Sequence, residues 1–157
     1  MAACNNSSDK KEEKEDSVSK MDHDGMSHMD ASNSHDVPEM PPVPAGAKVV
    51  FANLKDNAVI SSPFTLQMGT EVIKVDTAGP VVAGSGHHHL FIDAEDSLAA
   101  GTVVPKDSTH VHFGKGQTEY VLNLAPGKHK LTLQMADGLH RSYGSQLAST
   151  IHVTVKK

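Results

Sequence analysis

The sequence predicts an all-β fold, an immunoglobulin-like β-sandwich, preceded by a disordered N-terminal tail. From residue 48 onward, apolar and polar residues alternate with the period of two expected for half-buried strands. Turn residues interrupt this alternation at a spacing of roughly 8–12 residues, which is typical of sandwiches. No segment carries a helical apolar stripe of about 11 residues or more. A small β-barrel is the alternative architecture.

Each strand is predicted from an alternating segment that ends at a turn signal, such as Asp56-Asn57, Gly79-Pro80 or Asp137-Gly138. The predicted strands are residues 48–54, 58–60, 64–69, 71–75, 88–92, 109–113, 119–124, 129–134 and 150–155. Residues 94–100 are the one weak helix candidate, about one turn long. Pro126-Gly127 predicts a short hairpin between the seventh and eighth strands.

The charge is distributed unevenly along the chain. Residues 1–44 hold 4 Lys against 10 Asp and Glu, a net charge of -6, whereas residues 45–157 hold 10 Lys and Arg against 9 acids, a net charge of +1. We therefore divide the chain into a tail, 1–44, and a β-sandwich domain, 45–157. A domain this close to neutral lacks the basic face needed to bind nucleic acid.

The single cysteine, Cys4, cannot form an internal disulfide. Small residues precede it in Met1-Ala2-Ala3-Cys4, and polar residues follow it. This pattern resembles the end of a bacterial lipoprotein signal, in which the cysteine becomes lipid-modified. We expect a protein of the bacterial cell envelope, in the periplasm or at the outer-membrane surface, that meets the membrane only through a lipid on Cys4. An ordinary cytosolic cysteine is the alternative.

The tail also contains a Met/His-rich segment, residues 21–40. Its candidate accessory ligands are His23, Met26, His28 and Met29. Thioether sulfur suits Cu(I), whereas imidazole suits Cu(II), Zn or Ni. A polar linker without function is the alternative. Residues 5–20 are predicted to be disordered, and the Pro-rich residues 38–44 to form a spacer.

Histidines cluster again in the domain, and these are the candidate metal ligands: His87, His88, His89, His110, His112 and His140. If Leu90 faces the core, His88 shares its face and His87 and His89 point the other way. His110 and His112 share a face of their own strand. The sequence therefore leaves open whether His88 or the His87/His89 pair joins them, with His140 as the best candidate from a loop. Three imidazoles with one open position can hold an exchangeable metal.

The same residues carry a resemblance. Residues 86–93 read G-H-H-H-L-F-I-D, residues 110–119 read H-V-H-F-G-K-G-Q-T-E, and P-G-K-H-K-L-T-L follows from residue 126. Over about residues 59–155 the chain resembles an uncharacterised family of bacterial envelope domains, a domain of unknown function. The resemblance implies a secreted or lipid-anchored β domain. By analogy its shared histidines correspond to His87, His88, His89, His110, His112, His129 and His140. A second loop histidine of the family corresponds to Tyr143 here.

The function predicted from these residues is metal binding, with copper as the first choice of ion and zinc as the second. An envelope lipoprotein would sequester the ion or transfer it, with another envelope protein as a further partner. The alternative is a non-enzymatic immunoglobulin-like interaction module whose histidines form a structural hydrogen-bond network. No nucleophile elbow and no H-E-x-x-H motif is present, so an enzyme is not expected. A metal-dependent reaction at the histidines is the form that an activity would take.

Overall fold

Two β-sheets make up the part of the chain that the computed structural model describes, residues 37–157. The strands are β1 (Lys48–Phe51), β2 (Ala58–Ile60), β3 (Phe64–Glu71), β4 (Lys74–Val75), β5 (Ser85–Ile92), β6 (His110–His112), β7 (Glu119–Leu122), β8 (Gly127–Ala136) and β9 (Ala148–Val155). One sheet has the order β1-β3-β7. The other has the order β2-β9-β8-β5-β4, and β6 also pairs with β5. The all-β prediction is confirmed.

Helical structure in residues 37–157 is limited to one turn of 3-10 helix, Ser145–Leu147. The one-turn helix predicted at residues 94–100 is therefore wrong. None of the described segments forms a helix that is long and apolar enough to cross a membrane. Cys4, His23, Met26, His28 and Met29 lie outside the described residues.

Side chains from both sheets share one hydrophobic core, which explains the period of two in the sequence. Leu66 and Leu122 contribute from the smaller sheet, and Leu90, Leu131 and Leu133 from the larger one; all are at most 1% exposed. On β9, Ile151, Val153 and Val155 are buried while His152 is exposed, as the alternation predicts. A second cluster, Phe91, Val104 and Ala136, is packed apart from this core.

The hairpin predicted at Pro126-Gly127 is wrong. β7 pairs with β3, whereas β8 pairs with β5 and β9, so the connection crosses from one sheet to the other. Leu124 N–H donates to Ser62 Oγ at 3.0 Å, which fastens the crossing to the loop before β3. A turn signal predicts that the chain reverses direction, but it does not predict which strands pair. Pairing depends on how the apolar faces of the strands are buried.

The Pro-rich segment predicted as a spacer lies against the β domain. Met40 and Val43 pack on the core. Arg141 Nη1 donates to the Pro38 carbonyl oxygen at 2.7 Å.

Candidate metal centre

Strand β5 supplies two buried histidines to the face of its sheet that points away from the main core. Leu90 faces that core, so His87 and His89 lie on the opposite face with Phe91. They are nevertheless only 0% and 2% exposed. Their Nε2 atoms are 3.0 Å apart.

Strand β6 adds the third histidine because its register places His112 directly opposite His89. The His112 ring centroid lies 5.0 Å from those of His87 and His89. Gly114 makes room for this ring, since a Cβ at that position would overlap the imidazole. Candidate ligand atoms of His87, His89 and His112 all lie within 4.8 Å of one another, so the three residues could hold a metal ion.

A loop brings His140 to the same place. Its Nε2 lies 3.1 Å from His112 Nε2, and its ring centroid lies 5.0 Å from that of His87. We refer to His87, His89, His112 and His140 as the His cluster. His140 has a φ of 66°, in the left-handed region that non-glycine residues seldom adopt.

The loop is built around the fully buried carboxylate of Asp137. Asp137 Oδ1 accepts the backbone N–H groups of Leu139 and Arg141 at 2.9 Å each, and its Oδ2 accepts Arg141 Nε at 2.7 Å. His140 N–H in turn donates to the Asp137 carbonyl at 2.9 Å. A Cβ on Gly138 would overlap the carbonyl oxygens of the loop at residues 79–80. These contacts hold His140 over the cluster in spite of its positive φ.

The surroundings favour the neutral form of three imidazoles of the cluster, those of His87, His89 and His112. Burial, reinforced by the neighbouring imidazoles, lowers the pKa of His87 to about 4 and that of His89 to about 2. Burial and then the charges of His140 and Lys106 also lower the pKa of His112. Neutral imidazole is the form that ligates a metal, so at pH 7 these three rings need lose no proton to bind one.

Two predicted ligands lie elsewhere. His88 faces the main core; burial lowers its pKa to about 4, and neither ring nitrogen has a hydrogen-bond partner among the described residues. His110 lies opposite Phe91, two pairs further along the register than His112, with Nδ1 2.8 Å from Asp107 Oδ1 and Nε2 3.4 Å from Glu95 Oε2. Of the two possibilities left open by the sequence, the structure brings the His87/His89 pair to His112 and His140.

Some residues that shape the site were not identified from the sequence: Asp137, Arg141, Gly114 and Lys106. The run Asp137-Gly138-Leu139-His140-Arg141 carried a signal, because an Asp-Gly turn followed by a basic residue permits a local ion pair. The role of Gly114 depends on the ring above it and could not be read from its spacing.

Comparison with known proteins gives a family and no activity. The model of the family described as Domain of unknown function (DUF4399) matches residues 66–156, more than half of the chain. That range contains all four residues of the His cluster. Neither the curated proteins nor the solved structures include a significant match.

Proposed function

The chain belongs to the DUF4399 family, described only as a domain of unknown function, and from its own residues we propose that it binds a transition metal ion at the His cluster. His87, His89 and His112 are the proposed ligands, and His140 is the fourth. Copper is the first choice of ion and zinc the second. The role is sequestration or transfer of the ion.

One observation carries this proposal: imidazole nitrogens of four histidines converge, and two of these histidines, His87 and His89, are buried. A neutral imidazole has one N–H and one lone pair, so one hydrogen bond is the most that two facing Nε2 atoms can form. A metal ion bound at the converging Nε2 atoms would instead turn the lone pair of each ring into a bond.

Two of the nitrogen–nitrogen distances fit such an ion. Metal–nitrogen bonds of about 2.0–2.1 Å place neighbouring ligand nitrogens about 2.9 Å apart in a square arrangement and about 3.4 Å apart in a tetrahedron. The observed separations are 3.0 Å for His87 and His89 and 3.1 Å for His112 and His140. Both values lie inside this range.

The donor set favours copper over zinc. Nitrogen sites bind divalent ions in an order that peaks at Cu(II). The thioethers of Met26 and Met29, with His23 and His28, would add a second set of ligands suited to Cu(I). His112 is exposed and His140 half-buried, so a bound ion would be within reach of an exchange partner.

We also propose that the protein is a lipoprotein of the bacterial envelope, anchored through Cys4. The small residues before Cys4 support this, as does the acidic, polar sequence that follows it. Mass spectrometry of the protein from its native host tests the anchor. An acylated Cys4 is expected, and an unmodified Cys4 in membrane-free fractions would contradict it.

A second candidate function keeps the same histidines without a metal. His87 pairs with His89 and His112 with His140 at hydrogen-bond distance, so these pairs could tie β5, β6 and the loop together unaided. The protein would then be an immunoglobulin-like interaction module whose partner is another envelope protein.

Calorimetric titration of the full chain with Cu(II) and with Zn(II) separates the two functions. The double variant His112→Ala/His140→Asn changes the accessible ligands, and Asn tolerates the positive φ at residue 140. A second variant replaces His23, Met26, His28 and Met29 with Ala. His152→Ala is the matched control because His152 is exposed on β9 and is not part of the cluster.

We expect the double variant to lose the tight site, while the tail variant and His152→Ala keep it. Ion at a hundred times its dissociation constant should stabilise the native protein by about 2.7 kcal/mol. Tight binding that persists in the double variant would contradict the proposed ligands. No binding by the native chain would leave the interaction module.

A further inference from the structure

A pocket opens directly on one side of the His cluster. Its volume is about 330 Å³, and His89, His112 and His140 line it together with Val103, Val104, Pro105 and Lys106. His87, the remaining member of the cluster, is not part of the lining. A metal ion held by the four histidines would therefore present one side to protein and the other to this pocket.

The charge in the lining of the pocket is positive and comes from Lys106. No carboxylate lines it, and in residues 37–157 Lys106 makes no ion pair, unlike Lys48, Lys130 and Arg141. Lys106 is exposed, so its ammonium group is available to a ligand that enters from solvent. With a metal cation at the floor and Lys106 at the wall, the field in the pocket favours an anion.

The rest of the lining is apolar. Val103, Val104 and Pro105 form one continuous stretch of the wall, and Val103 is 61% exposed. A doubly charged inorganic anion such as phosphate needs several donors, and one ammonium group beside three apolar residues does not supply them. A monoanion with a short hydrocarbon body matches both the charged and the apolar part of the lining.

We propose that the metal held by the His cluster keeps a coordination position open to this pocket, and that the position takes a small carboxylate. One carboxylate oxygen binds the metal, the anion pairs with Lys106, and the hydrocarbon body contacts Val103, Val104 and Pro105. This inference rests on the proposed metal site and adds its ligand class. The bound ion would then be exchanged, or act, as a mixed complex with an organic acid.

The test uses the full chain loaded with one equivalent of Cu(II), its copper content measured before each titration. Butyrate and acetate are the probes, and the visible and paramagnetic resonance spectra of the copper report their binding. We expect a saturable spectral change, with butyrate tighter than acetate because of its apolar body. Lys106→Met should weaken butyrate binding about tenfold without changing the copper content.

Lys128→Met is the matched control, since Lys128 is an exposed lysine at the far end of β8. Its affinity for butyrate should equal that of the native chain. Copper that is bound but indifferent to both carboxylates, or an equal response in Lys106→Met, would overturn the carboxylate site and leave the metal site intact. A chain that takes up no copper would overturn the metal site and this inference together.

Discussion

The two ends of β8 place histidine in opposite surroundings. At the start of the strand, His129 Nδ1 lies 2.7 Å from Asp93 Oδ2, and its Nε2 lies 2.9 Å from the Ala125 carbonyl. At its end, Ala136 pairs with His87, whose neighbours are other imidazoles. Burial opposes protonation of His129, but its hydrogen bonds to Asp93 and Ala125 prevail and raise its pKa, whereas the pKa of His87 falls to about 4.

This contrast separates two uses of the same side chain. Acceptor oxygens on both nitrogens stabilise the protonated ring, so His129 strengthens the fold by itself. Burial among other imidazoles keeps the rings of His87 and His89 neutral and leaves lone pairs for a cation. Histidines of the second kind are the ones we assign to metal binding.

The largest effect expected from this contrast is acid instability of the metal-free protein. The pKa values of His87, His88 and His89 are lowered in the folded state, so their contribution to stability is complete above about pH 6.5. It is lost as the pH falls toward about 4 for His87 and His88 and toward about 2 for His89. Between pH 7.5 and pH 5, each of these three histidines should lower the free energy of unfolding by about 2 kcal/mol. Urea unfolding at a series of pH values measures the sum, and constant stability over this range would contradict the neutral cluster.

The next largest effect is expected at the loop that carries His140. Asp137→Ala removes a buried carboxylate that accepts two backbone N–H groups and the Arg141 guanidinium, at a cost of about 3 kcal/mol. It should also weaken metal binding, because His140 loses its support. Asp56→Ala is the control: this exposed carboxylate accepts the His152 backbone N–H, and its loss should cost under about 1 kcal/mol. Equal unfolding midpoints for the two variants would show that the loop does not depend on Asp137.

A smaller and more local effect should follow from Gly114→Ala. The new Cβ would displace the His112 ring, so copper affinity should fall about tenfold while stability changes by about 1 kcal/mol. Gly69→Ala is a suitable control, since its Cβ would meet only the Val50 side chain, at 3.3 Å. Competition against a chelator of known affinity measures the change. An unaltered affinity in Gly114→Ala would remove His112 from the ligand set.

The smallest effect is expected at the other end of the strand. Because the pKa of His129 is raised, its ion pair with Asp93 contributes below about pH 6.5 and is lost as the pH rises through the folded-state pKa. The pKa of Asp93 is lowered, so the pair is also lost in strong acid. His129→Gln should lower the free energy of unfolding by about 0.5–1 kcal/mol near pH 5.5 and by less at pH 8. It should leave the metal affinity unchanged. A loss of metal affinity in this variant would break the distinction between the two ends.

Local alternation was enough to predict much of this arrangement. A period of two along β5 separates His87 and His89 from Leu90, and the burial of Leu90 confirms it. The register between β5 and β6 could not be predicted from the sequence. His110 and His112 share a strand face, but the pairing of His89 with His112 moves His110 about 7 Å away, to Phe91. His140 was predicted from its loop, whereas its support by Asp137 depends on a buried ion pair that only the folded loop creates.

The central claim is that the histidines of the fold ligate a metal, and paramagnetic resonance of the full chain with one equivalent of Cu(II) and ¹⁵N-labelled histidine tests it directly. We predict hyperfine coupling to at least three imidazole nitrogens, and a loss of that pattern in His112→Ala/His140→Asn. A copper spectrum without imidazole coupling, or one that the double variant leaves unchanged, would contradict the account.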